Sequence, residues 1–91
     1  MNKAELVDQI ATKAELSRKD AELAVDATLK TIEEELARGK EIRLTGFGKF
    51  HVADRSARQG RNPQTGATIQ IKAARVPRFS AGSKLKEVVN G

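Results

Sequence analysis

The stretch from Ala53 to Pro77 cannot fold on itself. Its large aliphatic side chains are confined to Ile69, Ile71 and Val76, too few to exclude water from a core of their own. In or just beyond it stand six basic residues, Arg55, Arg58, Arg61, Lys72, Arg75 and Arg78. Near its middle lies Asn62-Pro63-Gln64-Thr65-Gly66, a set with turn chemistry: proline fixes φ, Asn62 and Thr65 can bond nearby backbone groups, and Gly66 permits a left-handed conformation. Two extended limbs joined by that turn make a ribbon that projects into solvent and moves until something holds it. Any core must therefore come from the flanks.

On the N-terminal flank the hydrophobic period is that of a helix. Asn2 is a good N-cap with Glu5 three positions later, and Leu6, Val7, Ile10 and Ala14 follow on one face. Ser17 repeats the signal with Asp20, and Ala21, Val25, Thr28, Leu29, Ile32 and Leu36 keep the period until Gly39. The short connection at Ala14 to Leu16 makes these a helical hairpin. The period then falls to two. Ile42 and Leu44 alternate with Arg43 and Thr45, Phe50 and Val52 with Lys49 and His51, and Gly46-Phe47-Gly48 lies between, its glycines suited to the positive φ of a tight turn. The apolar face of this strand pair is expected to cover the helices. Beyond the ribbon, Ser83 caps a short last helix bearing Leu85, Val88 and Val89. The order predicts an α+β fold in one domain, residues 1–91: a helical hairpin over 1–40, an antiparallel sheet with a protruding arm over 41–82, the arm itself near 54–77, and a helix over 83–91.

Such a chain is poorly stocked for a monomer. With 91 residues, 38% hydrophobic content, three Phe and neither Trp nor Tyr, a shared subunit interface is the natural remedy, and a homodimer is expected. There is no Cys, which excludes disulfides and thiolate sites and suits a reducing cytoplasm. The longest apolar run, Leu23-Ala24-Val25, is far short of the ~20 residues of a membrane helix. Lys3, Glu5 and Asp8 interrupt the place where a signal-peptide core would lie. A soluble, unexported protein is expected.

Charge locates the function. Met1 to Lys40 holds seven Lys/Arg against nine Asp/Glu, whereas Glu41 to Gly91 holds ten against three, and Arg55 to Lys86 contains no acid. An uncompensated field of that kind attracts a polyanion, while a merely solubilising surface mixes both signs. Guanidinium groups suit phosphates and a narrow, electronegative minor groove. Arg55, Arg58 and Arg61 recur every three residues, so strict alternation cannot put them on one face, and a bulge or twist is expected to reconcile them. Pro63 has two readings, a plain turn residue or a rigid apolar wedge of the kind that enters a base step. Arg55, Arg75 and Arg78 are equally open, as solvated shoulder residues or as groove contacts. Gly46 and Gly48 are structural, and Phe47, Phe50 and Phe79 read as core rather than as stacking platforms for bases. His51 is the sole histidine, and Asp54 would not face it in a strand. Neither a catalytic nor a metal constellation is present in the sequence, and no cofactor is implied.

The string Gly46-Phe47-Gly48-Lys49-Phe50, followed by Arg55, Arg58, Gly60, Arg61 and Asn62-Pro63-Gln64-Thr65-Gly66, resembles the signature of the bacterial HU/IHF histone-like DNA-binding proteins. The likeness spans essentially the whole chain, from Met1-Asn2-Lys3-Ala4-Glu5-Leu6 to Leu85-Lys86. It implies an intertwined dimer whose two arms enclose duplex DNA, with Pro63 at each tip intercalating in the minor groove. By the same resemblance Arg58 and Arg61 are groove contacts, and Asn62, Gln64, Thr65 and Gly66 form and support the tip. Lys72 adds to the basic arm. Lys3, Lys84 and Lys86, ordinary surface lysines by sequence, would meet phosphates on the flanks. The tip and short tails are more like HU than the site-specific IHF, which implies tolerant binding and bending that compacts DNA and assists its transactions in the cytoplasmic nucleoid. The rivals are an IHF-type subunit with a paralogous partner, an RNA- or ribosome-associated basic protein, and a scaffold for acidic proteins. No enzymatic activity is expected.

Overall fold

A computed structural model describes residues 1–91. In chain order the elements are α1 (Lys3–Ala14), α2 (Arg18–Ala37), β1 (Ile42–Leu44), β2 (Gly48–Arg55), β3 (Arg58–Arg61), β4 (Thr68–Ile71), β5 (Ala74–Ala81) and α3 (Ser83–Asn90). They fall into two compact units, Met1–Glu34 and Glu35–Gly91.

The first unit is the helical hairpin, and its ends are set by local chemistry. Asn2 Oδ1 accepts the Glu5 N–H at 2.9 Å and Ser17 Oγ the Asp20 N–H at 3.1 Å, so both expected caps form and each satisfies one orphan donor of a first helical turn. Glu15 ends α1 with φ 55° and ψ 45°. Leu16 N–H then reaches back to Ala11 O at 2.9 Å, and Glu15 N–H to Thr12 O at 3.4 Å, the paired bonds of a Schellman ending. Arg18 joins the helices through Asp8 on α1 at 2.8 Å and also pairs with Glu22 one turn along α2 at 3.2 Å. The core of the unit is small: Val7, Ala21 and Val25, flanked by Ile10 and Ala11. Other members of the expected stripe stay outside it. Leu6 and Leu29 are exposed, Ile32 and Leu36 half-buried, and Thr28 turns its hydroxyl back to Ala24 O at 2.8 Å.

The second unit begins with the end of α2. Gly39, at φ 76°, allows its own N–H to bond Leu36 O at 2.9 Å and the Lys40 N–H to bond Glu35 O at 3.0 Å. A three-stranded antiparallel sheet follows in the order β1-β2-β5. Ile42 pairs with Phe50, Phe50 with Phe79, and Val52 with Pro77. Directly opposed residues share a face, so one face is apolar. The other carries Arg43, Lys49, His51, Arg78 and Ser80. Phe79 lies between Phe50 and Phe47, with ring centroids 4.8 and 5.7 Å away. These rings are less enclosed than the core role expected of them, since Phe47 is 49% and Phe79 42% exposed in the isolated chain.

The turn between β1 and β2 departs from expectation at one glycine. Gly46 has φ 81° in a turn closed by Phe47 N–H to Leu44 O at 2.9 Å. Gly48 needs no positive φ and is required for a different reason: a Cβ there would lie 2.5 Å from the Phe79 ring and 2.7 Å from Ser80 O. The last helix also starts differently. Gly82, not Ser83, is its N-cap, and no side chain bonds the first turn. Gly46 O takes that place, accepting the Leu85 N–H at 3.2 Å, while Gly82 N–H bonds Phe47 O at 2.7 Å. A Cβ at Gly82 would approach the Gly46–Phe47 backbone to 3.0 Å, so any side chain there would require that backbone to shift.

Candidate nucleic-acid interface

Beyond the three-stranded sheet, β3 and β4 form a two-stranded antiparallel ribbon pairing Arg58 with Ile71, Gln59 with Gln70, Gly60 with Ile69 and Arg61 with Thr68. Regular pairing lapses at Ser56-Ala57 on one limb and Lys72-Ala73 on the other. Arg55 pairs with Ala74 before the lapse and Arg58 with Ile71 after it. Two unpaired residues thus lie on each limb, and neither limb carries an extra one. Of the bulge or twist expected to bring the three arginines together, the bulge is absent. Within the ribbon, alternation puts Arg58 with Gly60, Ile69 and Ile71 on one face, and Arg61 with Gln59, Thr68 and Gln70 on the other. Gly60 has a packing role here, because a Cβ would meet Ile71 Cδ1 at 2.8 Å and Ile69 Cγ1 at 3.5 Å.

The tip is tightly bonded. Asn62 N–H donates to Ala67 O at 2.8 Å and Gly66 N–H to Asn62 O at 2.7 Å, with Gly66 at φ 73°. Two side chains complete it: Asn62 Oδ1 accepts the Gln64 N–H at 2.9 Å, and Thr65 Oγ1 the Ala67 N–H at 3.2 Å. These are the local bonds that make Asn and Thr turn formers. They leave Pro63 and Gln64 exposed at the apex, where proline has no N–H to desolvate.

The remaining cations divide by what holds them. Arg58, Arg61 and Lys72 stand exposed on the ribbon and its base, Arg55 and Arg78 on the longer strands, and Lys84 and Lys86 on α3. Arg75 is engaged otherwise: it projects from the apolar face and donates to Leu36 O at 3.1 Å and Ala37 O at 3.4 Å. A guanidinium there satisfies the orphan carbonyls at the end of α2 and complements the negative end of its dipole. Lys3 pairs with Asp26 at 2.6 Å, and the hydrogen bond to that carboxylate, then its charge, raise the ammonium above its ordinary pKa. Both partners are well exposed, so the pair is weak and leaves Lys3 able to turn to another anion.

The sequence reading overlooked the polar face of the three-stranded sheet. Arg43 and Lys49 stand side by side there, sharing Glu41 at 3.4 and 3.7 Å, and His51 lies opposite Arg78 with its Nε2 3.0 Å from Ser80 Oγ. The signal was available. The polar positions of the period-two pattern, Arg43, Lys49 and His51, are predominantly basic.

A helical hairpin, a short sheet and an acid-free two-stranded arm with a proline at its apex define a class of small basic proteins built to hold a polyanion along an extended limb. The chain belongs to the family described as Bacterial DNA-binding protein, whose profile matches residues 1–90. It is 53% identical over 88 residues to DNA-binding protein HU of Streptococcus thermophilus, covering 97% of each chain. It is 56% identical over 90 residues to DNA-binding protein HRm of Rhizobium meliloti, covering 99% of this chain and all of the other. Among solved structures, Anabaena HU in a cocrystal with DNA aligns with a TM-score of 0.90 at 47% identity, over 98% of this chain and 97% of that one. HU from Thermotoga maritima aligns with a TM-score of 0.71 at 37% identity, over 98% of each.

Proposed function

We propose that this chain is a histone-like architectural protein that binds duplex DNA with little sequence specificity and bends it through the minor groove, working as a homodimer and catalysing nothing. The observation that carries this reading is the arm: an acid-free ribbon with Arg58 and Arg61 exposed, ending in a bonded turn that holds Pro63 clear of the chain. Its likeness to Anabaena HU, which was solved with DNA, supports the same ligand. In this account Pro63 enters a base step, an unstacking that costs a few kcal/mol and is offset by contacts along the bent flanks. Those flanking contacts fall to Arg55, Lys72, Arg78, Lys84, Lys86 and Lys3, with Asn62, Gln64, Thr65 and Gly66 holding the tip against the groove. Arg75 acts mainly on the protein's own backbone.

The isolated chain leaves much apolar surface uncovered. Leu6, Ile10, Ala24, Val25, Thr28 and Leu29 line an open hollow of about 220 Å³ on the hairpin. Phe47, Phe79, Val88 and Val89 are exposed as well. Such a deficit favours a second copy of the chain as the covering surface. Duplex DNA as the ligand places the protein with the nucleoid in the bacterial cytoplasm.

A salt titration tests the mechanism. Electrostatic binding makes log affinity fall linearly with log salt, by about 0.9 for each phosphate neutralised, and similar affinities are expected for unrelated duplexes. A flat salt response, or structured RNA outcompeting duplex DNA at equal salt, would overturn the reading.

A further inference from the structure

His51, the chain's sole histidine, stands on the polar face of the three-stranded sheet directly opposite Arg78. Opposed Cβ atoms lie roughly 5 Å apart, so an anion that meets the Arg78 guanidinium comes within reach of the imidazole. Arg78 takes part in none of the chain's ion pairs. On the β1 side of His51 stand Glu41 and Arg43, and along β2 itself stands Lys49; Glu41 pairs with both of these cations, at 3.4 and 3.7 Å. Asp54, the other acid nearby, opposes Arg75 and belongs to the apolar face. The surroundings of the ring are thus three cations and one carboxylate that is already shared. The ring is half-buried, and its Nε2 lies 3.0 Å from Ser80 Oγ. A hydroxyl can donate to that nitrogen when the ring is neutral and accept from it when the ring is protonated, so the bond and the ring's orientation survive a change of charge. Nδ1, on the other side of the ring, is left for a ligand.

We propose that His51 is a proton-linked phosphate contact: once protonated it joins Arg78 in holding a DNA phosphate, through Nδ1–H, so that the protein grips duplex DNA more tightly as the pH falls. This rests on the duplex-binding reading above, with Arg78 as a flanking contact. Imidazole is the side chain whose ordinary ionisation falls between pH 5 and 8. A phosphate brought against it favours the charged form, as any opposite charge does. Binding then takes up protons. By linkage the added affinity is fully present where the ring of the free protein is already charged, and it is lost as the pH rises until the ring gives up its proton in the complex as well. Arg43, Lys49 and Arg78 carry side chains that stay charged throughout that range, so the rest of the grip on this face does not depend on pH.

The test measures affinity for one mixed-sequence duplex at fixed ionic strength from about pH 8 to about pH 5.5, across the imidazole range. Wild-type protein is expected to tighten about tenfold toward the acid end, from about threefold for each copy in a dimer, on the scale of an exposed charge pair. Its salt slope is expected to steepen there by about two, one further phosphate for each copy. His51→Gln, which keeps a polar side chain without the charge, is expected to bind at every pH as the wild type does at the alkaline end. His51→Lys, charged throughout, is expected to bind at every pH about as tightly as the wild type does at the acid end. Circular dichroism at each pH confirms that the fold is retained. A wild-type affinity that does not change with pH, or a pH dependence that persists undiminished in His51→Gln, overturns the inference while duplex binding stands. Absence of wild-type duplex binding at every pH would overturn it together with the proposed function.

Discussion

Replacing Glu15 by glycine is expected to stabilise the protein. Glu15 is the chain's non-glycine residue with positive φ, at φ 55° and ψ 45°, where an L residue carries roughly 1–2 kcal/mol of steric cost. Glycine removes that cost but gives the unfolded chain more freedom, an opposing effect of about 0.4–1 kcal/mol. The side chain is exposed. Its carboxylate also sits at the negative end of the α1 dipole, where an anion is unfavourable by a few tenths of a kcal/mol. The backbone bonds that close the helix, Leu16 to Ala11 and Glu15 to Thr12, need only the φ that glycine adopts freely. The net gain is about 0.5–1 kcal/mol, or roughly 2–8 °C in Tm for a unit of this size. Thermal unfolding followed by circular dichroism at fixed protein concentration measures it, with Glu15→Ala as the comparison, since alanine removes the charge but keeps the strain. A glycine variant that melts no higher than the alanine variant would refute the reasoning.

Three further substitutions probe other features. Gly48→Ala is expected to destabilise by about 1–3 kcal/mol in urea, because the Phe79 ring can move aside whereas the Ser80 carbonyl, part of the β5 backbone, cannot. Arg75→Gln, which loses the bonds to Leu36 O and Ala37 O, is expected to lower stability by about 1 kcal/mol and to change the salt slope of DNA binding less than Arg58→Gln does. Asn2→Ala removes the 2.9 Å cap on Glu5 N–H and is expected to cost about 1 kcal/mol of unfolding free energy by chemical denaturation.

What was legible in the sequence was what short-range chemistry decides. Asn2, Ser17 and Gly39 mark the helix ends because each acts on backbone within a few residues of itself, and Asn62, Thr65 and Gly66 write the arm tip the same way. Misreadings came where the deciding partner is distant along the chain. Gly48 is set by Phe79 and Ser80, and the first turn of α3 by the Gly46 carbonyl rather than by Ser83. Arg75 looked like one more arm cation, yet its partners lie in α2, 38 and 39 residues away. Arg58 and Arg61 fall on opposite faces as their spacing of three in one strand requires, but spacing alone could not reveal that the two limbs remain in step through their lapse in pairing.

Bending tests the account most directly. A short duplex labelled at both ends for resonance energy transfer is expected to bring its ends together when the protein binds, and to do so less with Pro63→Ala at matched saturation. Ends that stay as far apart as in free DNA while the wild type is bound, or that close equally well around the alanine variant, would contradict the claim that these arms curve the helix by wedging it open.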